Sequence, residues 1–481
     1  MRLAIGLILT VLASALSASE PSAEAPDVSE LKLVEVLQSS GEFFPAILEA
    51  EINRDIVAGE QQIARGKFDV LFSADSYNRV GGFYDGSVLT SKITQPLRPL
   101  GAKIFGQYRI SEGDFPIYED GYFTNTGGQA KVGVVLSLLR DRDIDEQRFA
   151  EQDAGLALQA ADLDVLLTRI GVQRKAALAY WKWVAYGQQL QVYKDLLEIA
   201  ESRDAGLIRQ VSSGARARIF LTENQQNITR RRTFVASAER DYQRAANDLA
   251  FYLRDDIGKP RQPRKERLPE QVQPVTNGVE LTAGALASMD SILAKQPEVQ
   301  QLRNTIRRAA NRIALRENAL KPQLDLSLEL AEGLGTVGEG GPSRDSTDTV
   351  VGLKFSVPIQ RNAAKAKLAQ SRSKLSALMV KEQQLQEKLA LQLNDIVLTL
   401  RFAEQLSVLS ALEVKQSAVL EEAEVTRFKS GASDFFLVNI REQSVANARI
   451  KAISAALDTR LAQVDFDTAT LNLEALGVSN P

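Results

Sequence analysis

The 481-residue chain has no cysteine and no histidine, only 3 methionines, and 15 prolines that avoid two long stretches. Without cysteine there is no disulfide framework, no thiolate nucleophile and no acylation site for a lipoprotein anchor. Without histidine the commonest general base and the commonest metal ligand are both missing. No P-loop for nucleotide phosphates occurs, and neighbouring carboxylates such as Asp143/Asp145 and Glu421/Glu422 are not set across a pocket as glycosidase chemistry requires. These absences point away from an enzyme, and no cofactor or metal is expected. The 58 basic and 61 acidic residues are intermixed, so nothing resembles the basic footprint that holds nucleic acid. After the first residues no window approaches the ~20 apolar residues of a spanning helix, so an integral membrane role has to use a β-barrel.

The N-terminus itself reads as a secretory signal peptide over 1–19: Arg2 is the charged start, Leu3 to Leu12 the apolar run and Ala13 to Ser19 the small residues, with cleavage expected near Ala15 to Ser19. A polar linker, 20–39, follows. No proline lies between Pro116 and Pro260, or between Pro358 and Pro481. Proline breaks helix interiors, so both stretches predict very long helices. In the first, Leu163, Leu167, Ile170, Ala177, Trp181 and Val184 keep coiled-coil spacing, with Arg174 in one slot of the seam. In the second, Leu375, Leu378, Leu385, Leu389, Ile396, Leu400 and Ala403 do the same. Continuous helices over Asp141 to about Gly206 and Ala363 to about Lys429 would each run about 100 Å at ~1.5 Å per residue. Each is followed by a glycine turn, Val211 to Gly214 and Phe428 to Gly431, and by a returning helix.

The halves repeat. Gly214 aligns with Gly431 at an offset of 217 and Gly133 with Gly352 at 219, whereas Asp69 aligns with Asp325 at 256. The first half therefore carries 37 extra residues, placed within about 84–125. The boundaries are a first repeat at 40–258, a linker at 259–290, a second repeat at 291–475 and a tail at 476–481. The linker's Arg261, Arg264, Lys265 and Arg267 read as solvated charge. Phe68 to Tyr77, Lys131 to Leu138, Leu324 to Leu330 and Thr349 to Val357 read as two strands per half. Four strands cannot bury both faces in one protomer, so closure of a shared barrel by oligomerisation is expected. Gly86 to Thr94 and Lys103 to Ile110 also alternate, as a further hairpin that either lengthens the strands or decorates a loop.

In this order, Ala176-Ala177-Leu178-Ala179-Tyr180-Trp181, Ala314 to Leu324, Gly352 to Ile359 and Arg427 to Gly431 resemble the TolC-like outer membrane efflux protein family over roughly 40–475. The resemblance implies a mostly α fold with a membrane β-barrel part: a homotrimeric channel-tunnel with about four strands per protomer and a shared twelve-stranded barrel. It implies an exit duct of a tripartite efflux or type I secretion system in the bacterial outer membrane, its helical tunnel in the periplasm. Its partners would be a periplasmic adaptor, an inner-membrane transporter and outer membrane lipid, with no nucleic acid. The periplasmic tips, where the adaptor docks, match Arg209, Val211, Gly214, Arg427 and Gly431, although both glycines also serve simply to let a tight bend form. The acidic pair that many members place after the second bend is not matched, because Leu437 and Ile440 stand there. Asp434 either lines a pore constriction or caps a helix, and Phe435 and Phe436 are the apolar alternative for a constriction. The Tyr180 to Tyr186 aromatic cluster reads as packing, and Arg230, Arg231 and Arg232 as a solvated face paired with neighbouring carboxylates. The rival readings are a poreless periplasmic adaptor, whose β-halves flanking a single hairpin are not visible, and a secreted carboxylate hydrolase, for which too little chain remains.

Overall fold

The computed structural model describes residues 29–275, 278–337 and 346–478. The expected signal peptide lies outside them. Two short helices, α1 (Leu33–Phe43) and α2 (Pro45–Gly66), lead into the first strands. Pro45 opens α2 at a position where its missing N–H costs nothing. The strands are β1 (Leu71–Asn78), β2 (Ser87–Pro96), β3 (Lys103–Glu112) and β4 (Gln129–Ser137), followed by α3 (Glu146–Ser212) and α4 (Arg218–Ala250). After a linker with two short helices, α5 (Gly278–Ala287) and α6 (Met289–Lys295), the pattern returns. It comprises α7 (Pro297–Asn318), β5 (Gln323–Gly333), β6 (Asp348–Ser356), α8 (Asn362–Lys429) and α9 (Phe435–Thr470).

All six strands form one antiparallel sheet in the order β1-β2-β3-β4-β5-β6. The expected four strands per protomer are therefore six among the described residues. The extra pair neither lengthens existing strands nor decorates a loop. The segment where the offset between halves falls has enough alternating residues for two full strands, and these separate β1 from β4. Because every neighbour is antiparallel, β1 and β5 leave the helices while β4 and β6 return to them. All four sheet–helix connections therefore sit at one end of the sheet.

From that end α3, with 67 residues, and α8, with 68, extend about 100 Å at ~1.5 Å per residue. Asp145 caps α3 by accepting from the backbone N–H groups of Gln147 (2.9 Å) and Arg148 (2.8 Å). At the far ends Gly214 (φ 75°) and Gly431 (φ 78°) occupy the left-handed region that side chains disfavour. Nothing crowds the missing Cβ of either.

The largest core joins α3 to α1, α4 and α9 around Trp183, which is fully buried with Ala176, Val184, Tyr242 and Leu249. Trp181 is only partly buried, with the Arg460 guanidinium 4.7 Å over its ring. The phenol of Tyr180 donates to the Leu31 carbonyl (2.8 Å), and burial pushes its pKa up to about 12. A second core sets Leu393, Val397 and Leu400 of α8 against Ala462 and Phe466 of α9. Arg174 leaves the seam to pair with Asp465 of α9 at 2.7 Å. The linker is not simply solvated: Arg267 is buried, pairs with Glu35 (2.8 Å) and donates to the Ser29 carbonyl (2.7 Å). Leu268 packs so closely on α3 that a Cβ on Gly187 would lie 2.4 Å from it.

Candidate functional site

Two regions carry function-bearing chemistry: the bends far from the sheet, and the sheet itself. At the first bend Arg209 and Gly214 are exposed and Val211 is half-buried. At the second, Arg427 turns back onto its own bend, pairing with Glu424 (3.6 Å) and donating to the Ala432 carbonyl (3.4 Å). Asp434 is the N-cap of α9: its carboxylate accepts from the Phe436 N–H at 2.7 Å. Phe435 is buried, its ring 6.2 Å from Phe428, while Phe436 beside it is exposed. Of the three residues considered for a constriction, Asp434 is therefore occupied as a cap and Phe435 faces the protomer's own packing. Phe436 remains at the surface.

The bends touch each other. Arg216, between α3 and α4, lies 5.2 Å over the Phe428 ring at the end of α8, a cation–π contact. Two turns into α9, Glu442 is buried and receives Arg203 of α3 (3.0 Å) and Arg231 of α4 (3.1 Å). Arg231, read from sequence as part of a solvated face, is 0% exposed and also donates to the Leu196 carbonyl at 2.6 Å. Its neighbour Arg232 is exposed and pairs with Glu201, as a surface arginine does. The run of three arginines concealed this difference, because only one of three consecutive helical positions faces the neighbouring helices. Burial lowers the Arg231 pKa, and the adjoining Glu442 carboxylate opposes that shift. Glu421 of α8, half-buried with Glu442 near it, has its pKa raised first by burial and then by that like charge. Glu223 of α4 is raised in the same way, by burial and then by Asp434.

The sheet register sorts its side chains onto two faces. On one face Phe72, Leu89, Ile93, Ile104, Tyr108 and Ile110 lead across to Val132 and Leu328, and on to Leu330, Val351, Leu353 and Phe355. All twelve are exposed. Glu112 and Glu332, near strand ends, are its charged residues. The opposite face holds Asp75, Lys92, Lys103, Arg109, Lys131, Asp325, Glu329, Asp348 and Lys354. Lys131 and Glu329 pair there at 3.1 Å. Phe105 covers the bare Gly133 backbone on that face, with Lys92 4.8 Å over its ring.

No family model and no curated protein matches the chain. Solved structures do. The VceC outer membrane protein of Vibrio cholerae superposes with TM-score 0.63 at 12% identity, covering 91% of this chain and 95% of that one. The open MtrE outer membrane channel of Neisseria gonorrhoeae gives 0.62 at 15%, covering 93% and 89%. A membrane protein from Pseudomonas aeruginosa gives 0.60 at 15%, covering 91% and 93%. The fold is that of the TolC-like channel-tunnels. In a channel-tunnel fold the two regions above are its two ends, the strands at one and the helical bends at the other. No described helix is long and apolar enough to cross a membrane.

Proposed function

We propose that the chain is the passive exit duct of a tripartite efflux or type I secretion system. Three copies would close a barrel in the outer membrane and continue it as a helical tunnel through the periplasm. The observation that carries this reading is the two-faced sheet: an apolar face exposed along its full width, backed by a face holding nine charged residues. Such a sheet is stable where lipid lies on one side and water on the other. A soluble adaptor has no use for that face. The transported cargo would be small molecules or polypeptides.

The helices support the trimer. Leu391, Leu398, Phe402, Leu409 and Leu412 keep near-heptad spacing along α8 and are exposed in the protomer. An uncovered apolar stripe of this length suits a neighbouring copy. At the bends, an adaptor docking near Arg209, Val211, Gly214, Arg427 and Gly431 would favour an open arrangement of the tips, an iris-like change. The Glu442 carboxylate fastens α9 to α3 and α4 in each protomer, so hairpin and neighbours move as one body above that point. Transport energy would come from the inner-membrane transporter.

The test is fractionation followed by conductance. A detergent-requiring trimer in outer membranes that conducts ions in planar bilayers is expected. A species released by washing, without conductance, overturns the duct and favours the adaptor.

A further inference from the structure

We propose that the β2–β3 hairpin is a full segment of the barrel wall. On the trimeric duct reading, on which this rests, the wall then has eighteen strands, and the hairpin lines its lumen with unpaired cations. Four observations support it. The hairpin is hydrogen-bonded on both sides: β2 pairs with β1 from Leu71↔Thr94 to Asn78↔Ser87, and β3 pairs with β4 from Lys103↔Val135 to Arg109↔Gln129. Its strands have ten residues each, long enough to cross an outer membrane at the usual tilt of ~45°. Its alternation stays in phase with the rest of the sheet, so Leu89, Ile93, Ile104 and Ile110 continue the apolar face without a break. Its turn at the helix end is anchored to α3, where the Arg98 guanidinium grips the Glu151 carboxylate through two hydrogen bonds (2.7 and 2.9 Å).

Closure follows from the topology. With six strands per protomer the outer edges, β1 and β6, run in opposite directions, so β6 of one copy meets β1 of the next as an antiparallel neighbour. Among the described residues both edges lack a partner strand within the protomer, and left open they would invite aggregation. At a strand spacing of ~4.8 Å and a tilt of ~40°, eighteen strands give a backbone diameter of roughly 36 Å, against roughly 24 Å for twelve.

The hairpin's polar face carries Lys92, Lys103 and Arg109 and no acid. Lys92 rests on the Phe105 ring, and Arg109 donates to the Gly121 carbonyl (2.6 Å). Among the described residues none of the three forms an ion pair, unlike Lys131 of β4. Threefold repetition sets these nine cations around the lumen as three rings of three at different heights, with Asp75 of β1 the nearest acid, so the hairpin stretch of the wall favours anions.

The chain's lack of cysteine makes the test direct. Lys92→Cys, Ile93→Cys and Ser73→Cys are made singly, and the trimer is exposed to water-soluble thiol reagents during single-channel recording. Ser73 lies on β1 directly opposite Lys92 and faces the lumen whether or not the hairpin joins the wall. The expected result is stepwise conductance loss with Lys92→Cys and Ser73→Cys, and protection by lipid with Ile93→Cys. An anionic reagent should react several-fold faster than a cationic one of equal size with Lys92→Cys. Loss with Ser73→Cys but none with Lys92→Cys overturns the eighteen-stranded wall and leaves the duct standing. No loss with either overturns the duct. Equal rates for the two reagents overturn the cationic lining.

Discussion

The two hairpins α3–α4 and α8–α9 share helix lengths and a glycine bend, yet they bury different amounts of themselves. In α3, sixteen residues are buried, with Trp183, Val184 and Leu190 at the centre of the core. In α8, of almost equal length, nine are buried, and Leu391, Phe402 and Val408 are more than half exposed. The difference lies in neighbours. α3 is flanked by α1, α2, α4, α7 and α9, whereas α8 leans mainly on α7 and α9. Two helices with the same heptad grammar thus end differently: the seam of α3 is closed within the protomer, whereas α8, beside its buried Leu400 and Ala403, keeps an uncovered apolar stripe.

Substitutions can break that comparison. The largest effect is expected from Glu442→Ala, which would leave Arg231 buried without its counter-ion. Removing one partner of a buried pair costs about 3–5 kcal/mol, read as a lower melting temperature, and Glu442→Gln should fall between. Trp183→Ala should cost a similar amount, about 3–5 kcal/mol, by opening a cavity at the centre of the α3 core. A melting temperature unchanged by either would mean that α3 is not the protomer's organising helix.

Smaller changes sharpen the contrast at the tips. Asp434→Ala removes the α9 cap, worth about 1 kcal/mol, and should raise leak conductance if the cap helps hold the bends closed. Unchanged conductance would rule that role out. For Glu421, burial raises the pKa, so its contribution to stability is fully present below the ordinary glutamate value and is lost as pH rises past it. Glu421→Gln should therefore melt slightly higher than the parent at neutral pH, with the gap closing on acidification. Phe402→Ser, on the exposed stripe of α8, should change protomer stability by less than about 0.5 kcal/mol while lowering the trimer fraction in detergent. A stripe that merely faces solvent would leave the mass unchanged.

Much of the architecture was legible in advance because its determinants are local. Proline-free stretches, heptad spacing and the glycines at 214 and 431 announce long helices and their bends without reference to any partner. The tips were legible only in position. Which arginine of Arg230, Arg231 and Arg232 is buried depends on the rotation of α4 against α3 and α9, and which phenylalanine faces inward depends on how α9 leaves its cap. A signal for Arg231 did exist: it stands in helical phase with Ile228, Val235, Ala238 and Tyr242, at steps of 3, 4, 3 and 4. Its meeting with Glu442 could not be read from spacing, since 211 residues separate the two.

The sequence by itself determined the duplicated plan, the helix lengths, the bends and the alternation of each strand, because backbone propensity and side-chain periodicity act within a few residues. Only the tertiary structure decided that the inserted hairpin joins the sheet, that Phe435 and Arg231 turn inward and that α8 keeps an uncovered stripe. Strand order and helix rotation are set by which surfaces meet across hundreds of residues, and no local pattern encodes that choice.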